Sequence, residues 1–305
     1  MTSPTLLHCF PFPLISCFTS LELHVFPPFH ISPPIPFLPA PTLPLLGSLR
    51  LNFTMSIGDS LPPPPPPAME GIPFELNDES DFDQIASDGL VSICGFGSLL
   101  SEKSARNMFP DLINFGLAKL SGFRRVFAHV SPIFFDLGVA KPETKEISRL
   151  SLEPCEGESV VVTTFQILRS EIQSFIQREH EFRFLAVTLE TLNGLFYTTQ
   201  AVVCASYSDE EYFLHRCRGS RETFFQGFGR HGINKIWLDD VLPCRVYLRH
   251  CVLAAENLHE IAYNNFLDHT YLGDRKTTIR EYLSTNGSGI MEEETPEQLK
   301  YIYGG

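Results

Sequence analysis

After residue 90 the apolar positions fall into short stretches, each closed by glycine or a polar cluster. Val91-Ser92-Ile93-Cys94 reads as a strand that runs into the turn Gly95-Phe96-Gly97-Ser98. Ser101 has the chemistry of an N-cap, so a short helix is expected through Met108. β-Branched runs predict strands over 160–167, 184–189 and 201–205. Between the first two, Ser170 and Gln173 have the spacing of a capping box, and Ile172, Phe175 and Ile176 then share one face of a short helix ending near Arg178. Ser208 and Glu211 form a second box that opens a helix through His215, and residues 252–267 read as one longer helix. This irregular alternation predicts an α+β fold with a mixed sheet, not a regular doubly wound one.

The first 90 residues follow no such pattern. Residues 1–54 are rich in Phe and Leu, but proline interrupts them every few positions. A membrane span needs about twenty uninterrupted apolar residues, and a secretory signal needs a basic start before a helical apolar stretch; neither is present. A transit peptide should be rich in arginine, and only Arg50 qualifies. Three readings stay open: a translated upstream stretch with the working start at Met55, a poor transit peptide for a plastid or other organelle, and a disordered extension. Residues 55–90 hold six consecutive prolines, Pro62, Pro63, Pro64, Pro65, Pro66 and Pro67, and then Glu75, Asp78, Glu79, Asp81 and Asp83. Polyproline II followed by a solvated acidic linker is expected there. The proline run can dock an SH3- or profilin-like domain, although a passive spacer is the commoner use of such runs. The folded domain is expected over 91–285, with a tail over 286–305.

Charge narrows the function classes. The chain carries a net −13, and nine acidic residues against Arg50 alone precede residue 91, so what remains is only mildly acidic. A nucleic-acid-binding domain should show a clustered basic excess, which is missing. The eight cysteines contain no Cys-x-x-Cys pair, which points to a reducing compartment, the cytoplasm by default, and to cysteines that serve as small core residues. His215, His231, His250, His259 and His269 have no zinc-binding spacing, and there is no nucleophile elbow or P-loop. Gly95-x-Gly97 is not a dinucleotide fingerprint, because position 100 is Leu. Its bare backbone suits a carboxylate or an oxyanion, and equally a plain tight turn. Downstream, Gln177-Arg178-Glu179-His180-Glu181 sits at a helix exit, where the dipole and a neighbouring acid should raise a carboxylate pKa and make Glu179 or Glu181 a candidate acid/base.

Taken together, three short segments resemble the γ-glutamylcyclotransferase superfamily, nearest its ChaC-like branch. They are Cys94-Gly95-Phe96-Gly97-Ser98-Leu99-Leu100, Gly122-Phe123-Arg124-Arg125-Val126-Phe127 and Arg178-Glu179, and the likeness spans about 91–270. The resemblance implies a compact mixed fold around a small barrel of strands, with no metal and no organic cofactor. It implies conversion of a γ-glutamyl amide, glutathione or a smaller compound, to 5-oxoproline and a free amine. Glu179 would be the acid/base, and Phe96, Gly97, Ser98 and Leu99 would hold the γ-glutamyl group. Arg124 and Arg125 could aid a carboxylate or simply lie on a surface strand. Two positions depart from the family: Phe96 and Phe184 stand where members carry tyrosine. They motivate a second reading, a non-catalytic binding module on the same fold.

Overall fold

A computed structural model describes residues 73–304 of the chain. The elements run β1 (Phe74–Leu76), β2 (Leu90–Gly95), α1 (Glu102–Met108), β3 (Ile113–Val130), α2 (Pro132–Asp136), β4 (Glu146–Leu168), α3 (Ile172–Arg178), β5 (Arg183–Val187), β6 (Ala201–Ala205), α4 (Asp209–His215), α5 (Arg221–Gly227), β7 (Leu242–Pro243), α6 (Arg245–Leu258), α7 (Glu260–Asp268), β8 (Thr270–Leu272), α8 (Ile279–Ser284) and α9 (Lys300–Tyr303). The fold is α+β, one mixed sheet with flanking helices.

The strand order is β1-β5-β6-β2-β4-β3-β8, with β7 paired to β4. β3 and β4 form a long antiparallel hairpin whose register shifts three times, and such irregularities bend long strands. The bend brings Leu152 of β4 beside Ala205 of β6, although β2 lies between these strands further along. The sheet therefore closes on itself just past the end of β2, and the loop after Gly95 occupies that closure. Inside, Cys94, Leu120, Leu152, Val160, Val162 and Val203 pack together. A second cluster joins α1 and α3 to the sheet through Ile93, Phe109, Phe165, Phe175 and Phe184, and a third packs α6 onto Phe127 and Leu150. Each fully buried aliphatic or aromatic side chain contributes about 1.5–3 kcal/mol to holding these layers together.

Several boundaries differ from the sequence expectation. The acidic linker does not extend to residue 90: β1 pairs with β5, Phe82 is fully buried, and the acids make local structure. Asp78 accepts from Ser80 N–H at 2.9 Å, Asp81 accepts from Asn77 N–H at 2.8 Å, and Arg169 binds Glu79 and Asp83. The expected tail also joins the fold over residues 286–304, because Arg245 bridges Glu146 and Glu293 and Tyr303 is buried against α6. The expected helix over 252–267 is two helices. His259 is extended, and its Nδ1 caps α7 by accepting from Ile261 N–H at 3.1 Å. At α3 the cap is not Ser170: a 3-10 turn over Arg169–Glu171 precedes the helix, and Glu171 accepts from Leu168 N–H. The helix after Ser101, β6 and the capped α4 lie where the sequence predicts. No helix among the described residues is long and apolar enough to cross a membrane. The leader at 1–54 and the proline run from Pro62 to Pro67 lie outside the described residues.

Candidate active site

The glycine loop is built by close approach. A Cβ on Gly95 would stand 2.5 Å from Thr163 Oγ1 and 2.9 Å from the Leu99 carbonyl, and one on Gly97 would stand 3.0 Å from Tyr247 Oη. No larger residue fits either position without displacing its surroundings. The N–H groups of Leu100 and Ser101 donate to the Gly97 and Ser98 carbonyls at 3.0 and 3.1 Å. They close a single turn whose leading N–H groups have no partner within it. Two buried polar side chains fix the turn from behind. Thr163 Oγ1 donates to Leu99 O at 2.8 Å, and Arg125 Nε donates to Phe96 O at 2.9 Å.

Arg125 corrects the surface-strand alternative. It is fully buried, and its remaining donors are spent on Asn265 Oδ1 and the Val161 carbonyl. Burial pulls its pKa down to about 9, partly offset by the neighbouring Cys94 and Cys251. Arg124 instead pairs with Glu153. Neither arginine lines the cleft.

The opposite wall is the exit of α3. Ile172 and Phe175 anchor the helix in the core, and Glu179 ends it, its N–H still donating to Phe175 O at 3.0 Å. The carboxylate is buried and accepts from Arg149 Nη2 at 2.9 Å. Arg149 comes from β4, in register with His129 of β3, and its guanidinium lies 4.9 Å from the centre of the Phe182 ring. Burial opposes this cation, but Glu179 and Glu181 beside it outweigh burial and hold its pKa above the ordinary arginine value. Arg178, the other half of the Arg-Glu pair, turns away and covers the Phe109 ring.

Glu181 contradicts the sequence expectation of a raised pKa. Burial alone would raise it, but His129, 3.1 Å away, and Arg149 prevail and hold it at about 2. Ser131 Oγ donates a further hydrogen bond at 3.1 Å. Glu181 is thus a fixed anion near neutral pH and unsuited to carrying a proton.

The two walls enclose one cleft, where Phe96, Gly97, Ser98 and Leu99 face Glu179, Arg149 and Tyr247. The positions that the centre of a water molecule can occupy there amount to about 40 Å³, room for a few waters. Burial pushes the Tyr247 hydroxyl far above its usual pKa, so it stays a proton-bearing group. Cys94 and Cys204 also border the cleft; burial pushes the Cys94 thiol up to about 12 and the Cys204 thiol well above its usual value, which leaves neither a thiolate near neutral pH. Phe184 is not in the site. Its ring packs in the core against Phe82 and Phe175, and of the segment after Glu179 it is Phe182 that lines the cleft.

The sequence reading missed Arg149 and Tyr247. Arg149 is a lone cation in the alternating stretch Ile147-Ser148-Arg149-Leu150-Ser151-Leu152, a pattern that marks a charge on a strand otherwise made for packing. Tyr247 lies on a helix whose first turn precedes the predicted one, and nothing local signals its role.

No family model matches the sequence, and no curated protein does. Among solved structures, one described as "Gamma-glutamyl cyclotransferase" aligns with a TM-score of 0.31 and 16% identity, over 44% of this chain and 80% of that one. An uncharacterised protein from Homo sapiens aligns with a TM-score of 0.32 and 17% identity, over 45% and 81%. A protein from Arabidopsis thaliana aligns with a TM-score of 0.30 and 16% identity, over 46% and 89%. Scores of this size carry no argument about chemistry, which rests on the residues of the cleft.

Proposed function

We propose that this chain is a γ-glutamylcyclotransferase-like enzyme that converts a γ-glutamyl amide, glutathione or a smaller compound, to 5-oxoproline and a free amine. The observation that carries the reading is that Glu179 and the loop of Phe96, Gly97, Ser98 and Leu99 line one cleft, although about eighty residues separate them in sequence. The α-amine of the substrate attacks its own γ-carbonyl, so the ring closes within one molecule and no protein nucleophile is required. The new C–N bond forms first and gives a tetrahedral carbon, whose collapse breaks the C–N bond to the amine. Glu179 takes a proton from the α-ammonium group and delivers it to the departing amine. Both protons that the ammonium loses end on that amine, which leaves as its own ammonium ion. The loop N–H groups stabilise the negative charge that develops on the γ-oxygen.

The hydroxyl absent at Phe96 has a counterpart in Tyr247, which reaches the same loop from α6. The narrowness of the cleft and the pairing of Glu179 with Arg149 favour the second reading, a binding module without turnover. Release of 5-oxoproline separates them. The full chain is incubated with glutathione and a panel of γ-glutamyl dipeptides and amines, beside Glu179→Gln. Turnover that falls at least about 100-fold in the variant, with ligand binding retained, supports the enzyme. A folded wild type that releases none from any member of the panel leaves the binding module.

A further inference from the structure

Among the described residues that line the cleft, Arg149 is the cation. Its strongest contact is the carboxylate that the proposed chemistry needs as a base, Glu179, 2.9 Å away. The pair lies in the wall that faces the loop, so a γ-glutamyl group that enters the cleft meets it. Its carboxylate then competes with Glu179 for the guanidinium.

The surroundings of the pair decide which partner a ligand can reach. Arg149 is held from two sides apart from Glu179: its guanidinium lies over Phe182, and Nη1 stands 3.9 Å from Glu181, whose own position is fixed by Ser131 and His129. Glu179 ends α3, and Arg149 provides its side chain's hydrogen bond. Arg149 is the more exposed of the two, 22% against 7% for the Glu179 side chain, so a ligand in the cleft can reach its guanidinium. A guanidinium presents a planar fork that matches a carboxylate in two parallel hydrogen bonds, so another carboxylate can take the place that Glu179 leaves.

Resting on the γ-glutamyl reading above, we propose that Arg149 receives the α-carboxylate of the substrate, and that this exchange of carboxylates frees Glu179 to act as the base. The α-ammonium sits on the carbon that bears the α-carboxylate, so a substrate docked on Arg149 brings its proton donor beside the glutamate just displaced. The other nearby arginines do not line the cleft: Arg125 is bound to the loop, to Asn265 and to the Val161 carbonyl, and Arg178 covers Phe109. The arrangement selects γ-glutamyl compounds with a free α-carboxylate and keeps the base paired while the cleft is empty.

The test compares two amides of one amine on the full chain: the γ-glutamyl amide, which yields 5-oxoproline, and the 4-aminobutanoyl amide, identical except for the missing α-carboxylate, which yields 2-pyrrolidinone. The wild type is expected to favour the first by at least about 100-fold in kcat/KM, and Arg149→Met to lose most of that preference. Arg149→Lys, which keeps the charge without the fork, should fall between them. If Arg149→Met does not fold, Arg149→Lys is compared with calorimetric binding of 5-oxoproline and 2-pyrrolidinone to the wild type, where the carboxylate-bearing product should bind at least about tenfold more tightly. An undiminished preference in a folded Arg149→Met, or equal binding of the two products, overturns the role of Arg149 and leaves the cyclotransferase reading intact. A wild type silent on every γ-glutamyl amide overturns both.

Discussion

The two walls of the cleft are held by different forces. The glycine wall is set by sterics and by bonds from uncharged or unpaired groups: Gly95 and Gly97 admit the close approach of Thr163 and Tyr247, and Arg125 ties the Phe96 carbonyl from behind. The acid wall is set by charge, in a row of Glu181, Arg149 and Glu179, with His129, whose pKa burial lowers, beside Glu181. The first wall should be indifferent to pH near neutrality and intolerant of added volume. The second should tolerate small changes of shape but respond to any change of charge. A site that positions a substrate and moves a proton needs both kinds of wall.

The sharpest way to break the comparison is Arg125→Met. It takes the Arg125 donors from the carbonyls of Phe96 and Val161, and each orphaned buried acceptor costs about 1–3 kcal/mol. A loss of about 4 kcal/mol, seen as a fall of roughly 10 °C in Tm, is expected; a loss below about 1 kcal/mol means that the loop is held by something else.

Acid titration probes the opposite wall. The folded pKa of Glu181 lies below its ordinary value of 4.5, at about 2. Its stabilisation is therefore fully present above pH 4.5 and is lost as pH falls through about 2. Glu181→Gln should be less stable than wild type at pH 7, and denaturant melts at a series of pH values should show the difference shrinking below pH 4.5. A constant difference means that the carboxylate is not held by its charged neighbours.

A smaller effect is expected from Gly97→Ala, because the contacts that its Cβ meets, Tyr247 Oη at 3.0 Å and Leu150 Cδ2 at 3.2 Å, belong to side chains that can yield. About 1–2 kcal/mol should be lost in chemical denaturation, with no change in the pH profile of stability. The smallest effect is Glu102→Gln on α1, which removes an exposed ion pair with Arg106 and should shift Tm by less than about 2 °C. A larger shift would mean that surface charge matters as much as the buried row.

How far the sequence could be read follows the same division. Elements made by local chemistry were legible: Ser101 and Ser208 cap the helices that they announce, and the apolar run of β6 begins and ends as expected. Glu179 at the exit of α3 and the glycine loop after β2 were legible as separate motifs. Features that depend on distant partners were not. The acids of residues 73–90 resemble a solvated linker until Arg169 and β5 are in place. The pKa of Glu181 reverses direction because His129 and Arg149 arrive from the β3–β4 hairpin. Arg149 and Tyr247 carry no motif, since the fold alone brings them to the cleft. Phe184 reads as a site residue only through the resemblance, which places a tyrosine there, but alternation along β5 directs it into the core.

The central claim is that Glu179 moves a proton while its neighbour Glu181 is a fixed anion. The most direct test is 5-oxoproline release by the folded full chain at neutral pH for wild type, Glu179→Gln and Glu181→Gln side by side. The account predicts a loss of at least about 100-fold for Glu179→Gln and less than about tenfold for Glu181→Gln. Undiminished turnover in Glu179→Gln, or a greater loss in Glu181→Gln, would contradict it.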